Sequence, residues 1–315
     1  MVEWRLGVGM IEQIVDARTF HAGMVKTALA APMGAEARPR TIGPFGLVAH
    51  ALPREVEPLG VPPDYDVRPH PHIGLAAITY VLEGHVTHRD SLGSCVELGP
   101  GAMGYMVAGR GIVHSERFER LRALGGRLEL VQILMPLPDG AEDAEPSFEA
   151  IDPSRVPTHT EGGAIVRRLA AGAEGGDAPV RFPAPLFLWD IELAPGARHH
   201  LPDGIGERAV YVLRGAIELA GARVDAQRVA LLREGPASVE AGEAGGPARL
   251  LAFGGAPPGP RYFWWNFLSS SLERLEEAKA AWREGRTPLP PGDTESFTPA
   301  PPDAARPLLR LNAAE

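Results

Sequence analysis

The stretch whose reading decides the fold opens with Arg68-Pro69-His70-Pro71-His72 and closes with Ile112-Val113-His114-Ser115-Glu116. Each end carries two metal-capable side chains at i and i+2. Successive side chains of a β-strand point to opposite faces, so i and i+2 share one face. If the two strands lie side by side, His70, His72, His114 and Glu116 converge. The bland alternative has His70 and His72 in a loop and His114 hydrogen-bonded in a core. A lone H-x-H does not decide between them, but a second pair at the end of another strand favours the metal. Imidazole nitrogen with carboxylate oxygen suits Fe2+, Mn2+, Ni2+, Cu2+ or Zn2+, and three or four such ligands leave room for water or substrate.

Between the two ends the chain reads as short strands. Ala76 to Leu82 is a β-branched and aromatic run stopped by Glu83-Gly84, and His85 to Arg89 alternates as the returning arm of a hairpin. Cys95 to Leu98, Gly104 to Ala108 and Ile112 to His114 follow, separated by turns rich in Gly, Pro and Ser. Arg127 to Met135 adds one more strand. Such closely spaced strands predict a β-barrel or sandwich.

Outside this stretch the pattern recurs. Pro185 to Leu193, Arg208 to Leu213, Ala216 to Leu219, Arg228 to Leu232 and Arg249 to Phe253 are again short strands, and Glu207 to Gly215 echoes Gly74 to Gly84. The echo predicts a duplicated β-domain. With 315 residues the chain is long enough for two cores, which places a first domain at residues 1–150 and a second at 151–315. Ser269 to Glu284 carries the apolar spacing of a capped amphipathic helix, ended by Gly285 and the prolines beyond it.

Composition removes several function classes. The formal charge of −9 and the lack of a basic run argue against direct nucleic-acid binding. One cysteine, Cys95, allows no internal disulfide or thiolate cluster and is expected to be a small core residue. No apolar run reaches spanning length and no signal-peptide order opens the chain, so the expectation is a cytoplasmic protein without a membrane partner. His85 and His88 fall on opposite faces, so at most one looks inward. His199 and His200 are adjacent and point apart, so the second domain is expected to hold no metal. Phe263, Trp264, Trp265 and Phe267 are expected to anchor the C-terminal segment onto a domain.

Several motifs resemble the pirin family of the cupin superfamily: His70-Pro71-His72-Ile73-Gly74-Leu75, Tyr80-Val81-Leu82-Glu83-Gly84, His88-Arg89-Asp90-Ser91-Leu92-Gly93 and Ala108-Gly109-Arg110-Gly111-Ile112-Val113-His114-Ser115-Glu116. The resemblance implies an all-β protein of two tandem cupin, jelly-roll-like β-barrels with a C-terminal helix. It implies one mononuclear metal, usually Fe2+, in the N-terminal barrel on His70, His72, His114 and Glu116. Some pirins have quercetin 2,3-dioxygenase activity, which implies a small aromatic or enolic substrate and O2, with Glu116 acting both as ligand and as catalytic proton acceptor. The animal members are described as redox-sensitive co-regulators, which implies instead a non-catalytic metal-dependent sensor that binds a protein partner. Two departures stand out. Many pirins carry a glutamate where this chain has Ala76, expected to remove a carboxylate from beside the metal. Gly104-Tyr105-Met106-Val107 replaces a Trp-Met-Thr stretch, expected to alter the wall of the site.

Overall fold

Strands form where β-branched and aromatic runs alternate, and turns form where Gly, Pro, Asn or Asp interrupt them. The structure is a computed structural model and describes residues 9–22, 25–31, 40–172, 175–305 and 307–312. Its contacts divide into two units, each an open barrel of two mainly antiparallel β-sheets of the expected jelly-roll kind. Among the described residues no helix is long and apolar enough to cross a membrane.

The first barrel is built from two sheets. One runs in the order Ser147–Ile151, Met103–Val107, Leu75–Glu83, Gly126–Pro136, Leu47–Val56, Val25–Ala31 and Arg18–Ala22. The other runs Val67–His72, Ile112–Arg117, Val86–Asp90 and Cys95–Leu98. Val81 and Leu128 of the first sheet share a buried cluster with Val86 and Leu98 of the second, so the two inner faces enclose one core. Cys95 is exposed, not in that core: it opens the outermost strand of the smaller sheet, where only one neighbour covers it.

The second barrel repeats the plan. Its larger sheet runs Ile11–Asp16, Arg228–Leu232, Glu207–Arg214, Ala248–Gly255, Leu186–Leu193, Ala164–Gly172 and Thr158–Glu161, with Val180–Phe182 joined parallel to Ala164–Gly172. The smaller sheet runs Arg198–His200, Ser238–Glu240, Ala216–Leu219 and Ala222–Asp225. Gly84 and Gly215 hold the same place in the two plans, at the end of the long strand before the hairpin. Their φ values are 85° and 74°, and a Cβ added at either would lie 2.4 Å from a carbonyl oxygen, of Arg127 or of Pro247.

The units are not the sequential halves that the chain led us to expect. The first barrel comprises Thr19–Thr41, Phe45–Pro153 and Pro258–Glu315, and the second comprises Met1–Arg18, Ile42–Pro44 and Ser154–Pro257. The reason lies in the aromatic C-terminal segment. Trp264, Phe267, Leu275 and Trp282 bury against Ile73 and Val113, the neighbours of the H-x-H and H-x-E pairs. Gly74 takes φ 68°, and a Cβ there would lie 2.0 Å from the carbonyl oxygen of Leu268, so the close approach requires glycine. The expected helix spans Leu272–Arg283, with the Ser271 side chain accepting from the Arg274 backbone N–H at 3.3 Å.

Candidate metal centre

His70 and His72 end one strand, and His114 and Glu116 lie on its antiparallel neighbour, with His114 paired to His70 and Ile112 to His72. The i, i+2 rule then puts all four side chains on the inner face. A register shift between His114 and Glu116 twists the pairing so that Glu116 stands opposite Val67. One ligand atom from each of His70, His72 and His114 lies within 4.8 Å of the others, and Glu116 Oε1 is 3.7 Å from His114 Nδ1. Of the four side chains the sequence nominated, the fold clusters His70, His72 and His114 and sets Glu116 beside His114.

Their surroundings favour neutral imidazoles. The three histidines are 9%, 4% and 2% exposed. His70 Nδ1 donates to the Arg68 carbonyl at 2.9 Å, which leaves Nε2 for the cavity. Burial lowers the His70 pKa to about 4. Burial first, and then the charge on neighbouring imidazoles, holds His72 and His114 well below the ordinary histidine range. Burial pushes Glu116 the other way, up to about 7.

The decisive chemical observation is what these nitrogens lack. Among the described residues, His72 Nδ1 and both ring nitrogens of His114 are buried without a hydrogen-bond partner. Buried polar atoms are almost always partnered, so orphaned imidazole nitrogens facing two further donors are what a cation site looks like before the cation is placed. The bland alternative required His114 to be hydrogen-bonded, and it is not.

The four side chains floor a cavity of about 300 Å³. Its walls are mostly apolar, with Ala49, Leu128 and Leu130 facing inward, and its polar groups are few. Thr79 Oγ1 donates to Gln132 Oε1 at 2.9 Å, and Asn266 reaches the wall from the C-terminal segment. A ligand entering here meets one metal-capable floor and a small number of orienting groups, the usual composition of a small-molecule site.

Three features escaped the sequence reading. His88 turns inward and lies 5.3 Å from His114 between ring centroids, stacked 3.7 Å from Phe148. Its partner Asp90 is fully buried. Glu116 pairs with His88 and His114 with Asp90 across the sheet, so His88-x-Asp90 is a third i, i+2 pair on the same face. The spacing was there to be found. Asn266 had no such signal. Ala76, in contrast, shares its strand face with Ile78, opposite the cavity-lining Thr79, so a carboxylate at 76 would point away from the floor. Tyr105 pairs with Ile78 on that same far face, and the cavity wall does not include it.

In the second barrel the register shows what stands at the equivalent positions. Val86 and Ile217 both lie two residues past the turn glycine, Gly84 or Gly215, and His88 and Leu219 lie four past it. Glu116 pairs with His88, whereas Val239 pairs with Leu219. Val239 thus occupies the place of Glu116, Ala237 that of His114, and Leu201, bonded through its N–H to the Ala237 carbonyl, that of His70. All three are buried apolar core residues.

Comparison with known proteins follows this geometry. Residues 26–135 match the family model described as Pirin, and residues 188–288 match the Pirin C-terminal cupin domain. A pirin-like protein of Caulobacter vibrioides is 40% identical over 293 residues, covering 93% of this chain and 100% of its own length. This chain belongs to the pirin family. Among solved structures, quercetin 2,3-dioxygenase from Acinetobacter baumannii superposes with a TM-score of 0.80 at 27% identity, over 92% of this pirin and 95% of that chain. The bacterial pirin YhhW of Escherichia coli, solved with nickel(II), shares the pirin fold at a TM-score of 0.59 and 20% identity, over 78% of this chain and 100% of its own.

Proposed function

We propose that this pirin is a mononuclear metal oxygenase, with Fe2+ held by His70, His72, His114 and Glu116 and a flavonol or other enolic aromatic as substrate. The observation that carries the reading is the set of orphaned imidazole nitrogens on the floor of an apolar cavity with Glu116 beside them. A bound first-row metal would supply Lewis acidity and an electron path to O2.

The protein's own residues do the rest. The Arg68 carbonyl fixes the His70 ring so that one nitrogen faces the cavity. Apolar walls exclude water and strengthen each electrostatic contact within. Glu116, beside His114 at the floor of the cavity, is placed to complete the ligand set or to accept a phenolic or enolic proton from a bound substrate. The acceptor oxygen of Gln132 is engaged by Thr79, which leaves its amide N–H groups to donate to a substrate oxygen.

Anaerobic reconstitution with Fe2+, Mn2+, Ni2+ or Cu2+, followed by oxygen uptake with quercetin, tests the proposal. Uptake that requires metal, substrate and His114 together is the expected result. About one equivalent of bound metal with no uptake on any flavonol removes the oxygenase reading and leaves the metal-dependent sensor.

A further inference from the structure

The second barrel has a cavity of its own, of about 530 Å³. Strands Ala164–Gly172 and Leu186–Leu193 run antiparallel along it, with Arg167 opposite Asp190 and Arg168 opposite Trp189. These adjacent arginines have contrasting surroundings. Arg167 reaches Glu192 at 2.7 Å and Asp190 at 3.3 Å. Arg168 points to the other side, into the cavity, where its guanidinium carbon stands 5.7 Å from the Trp189 ring centroid.

Among the described residues Arg168 forms no ion pair, and its Nε is buried without a hydrogen-bond partner. Asp177 also borders the cavity, but it is exposed to solvent and is not paired with Arg168. A guanidinium with a buried, unpartnered N–H inside an apolar cavity calls for an anion. Around it the walls are aromatic and aliphatic: Phe187 and Trp189 meet edge to face at 5.5 Å and 66°, and Leu186, Pro202 and Ile205 close the remaining sides. Three of the four positions that hold metal-capable groups in the first barrel are filled here by Leu201, Ala237 and Val239, and Arg168 brings a cation to the cavity wall.

We propose that this cavity binds a small planar aromatic carboxylate, with the ring against Trp189 and Phe187 and the carboxylate on the Arg168 guanidinium. The planar fork of arginine matches a carboxylate through two parallel hydrogen bonds. Inorganic phosphate is a poorer match, because the aliphatic walls offer it no further donors.

The test uses full-length, metal-free protein, which removes carboxylate binding by metal in the first barrel. Benzoate is titrated by calorimetry and by tryptophan fluorescence, with cyclohexanecarboxylate, benzyl alcohol and inorganic phosphate as comparators. Expected is saturable benzoate binding near one equivalent, weaker for each comparator, reduced about tenfold or more by Arg168→Gln and unchanged by His114→Ala. Ile205→Glu, which sets a carboxylate at a half-buried loop position of the wall, gives a second variant that weakens binding without touching the strands. Absence of saturable binding overturns the proposal, as does benzoate binding that ignores both variants. Loss with His114→Ala alone would place the anion in the first barrel, and phosphate binding more tightly than benzoate would overturn the ligand class.

Discussion

His88 Nε2 donates to Asp90 Oδ2 at 3.0 Å, beside a candidate metal ligand and with neither side chain open to solvent. Burial opposes ionisation of Asp90, but hydrogen bonds from His88 and from Ser94 outweigh it and hold the carboxyl below its usual range. Its other oxygen accepts from the backbone N–H groups of Leu92 and Ser94 at 2.9 and 3.0 Å. Asp90→Ala leaves three donors without their acceptor, the buried His88 ring among them. Urea unfolding should show a loss of about 3 kcal/mol, and metal affinity should fall about tenfold because the His88 ring packed beside His114 loses its anchor.

Removing one of the three imidazoles should have a different signature. His114→Ala deletes a proposed ligand whose two ring nitrogens have no hydrogen-bond partner, so metal content measured by elemental analysis should fall to near zero. Thermal stability of the metal-free protein should change far less than in the Asp90 variant. Retention of metal near one equivalent would remove His114 from the ligand set.

Taken alone, Glu116 lowers the stability of the metal-free state as pH rises. Its folded pKa, raised by burial to about 7, lies above the ordinary value of 4.5. Below pH 4.5 the carboxyl is neutral in both folded and unfolded chains and costs nothing. As pH rises through 7 the unfolded chain ionises more readily, so stability falls by about 3 kcal/mol across that window. The three buried histidines oppose this trend, because acid charges them in the unfolded chain before the folded one. The Glu116 contribution is therefore read as a difference: between pH 4.5 and 8 the stability of EDTA-treated protein minus that of the Glu116→Gln variant should fall by about 3 kcal/mol.

The two turn glycines give a matched pair. Gly84→Ala and Gly215→Ala each place a Cβ 2.4 Å from a carbonyl oxygen at positive φ, and each should cost about 2 kcal/mol or more. If the barrels unfold separately, calorimetry should show each substitution lowering one transition and sparing the other.

Legibility in the sequence followed the range of the interaction. The convergence of His70, His72 and His114 was readable because i, i+2 pairs depend only on the strand period, and the two barrels were readable because Tyr80 to Gly84 and Tyr211 to Gly215 repeat a strand and its turn. The helix was readable from its Ser271 cap and apolar spacing. What was not readable depends on pairing register or on contacts distant in sequence. The inward turn of His88 needed the register that sets it opposite Glu116, and the place of Ala76 needed the strand phase fixed by Thr79. Asn266 and the return of the C-terminal segment to Ile73 and Val113 needed the tertiary fold itself. The Cys95 expectation failed because a small apolar residue on an outermost strand has no second sheet neighbour to bury it.

The interleaving of the chain bears on biosynthesis. Strand, helix and tail from Pro258 onward belong to the barrel that begins at Thr19, and they carry Asn266 to the wall of its cavity. On the ribosome, His70 to Glu116 emerge with that wall missing, and the whole second barrel must be translated before it can be supplied. A nascent chain therefore carries its imidazoles before the Asn266 side of the cavity is in place. A gene fragment cut after the first barrel's strands would encode His70, His72, His114 and Glu116 without Asn266.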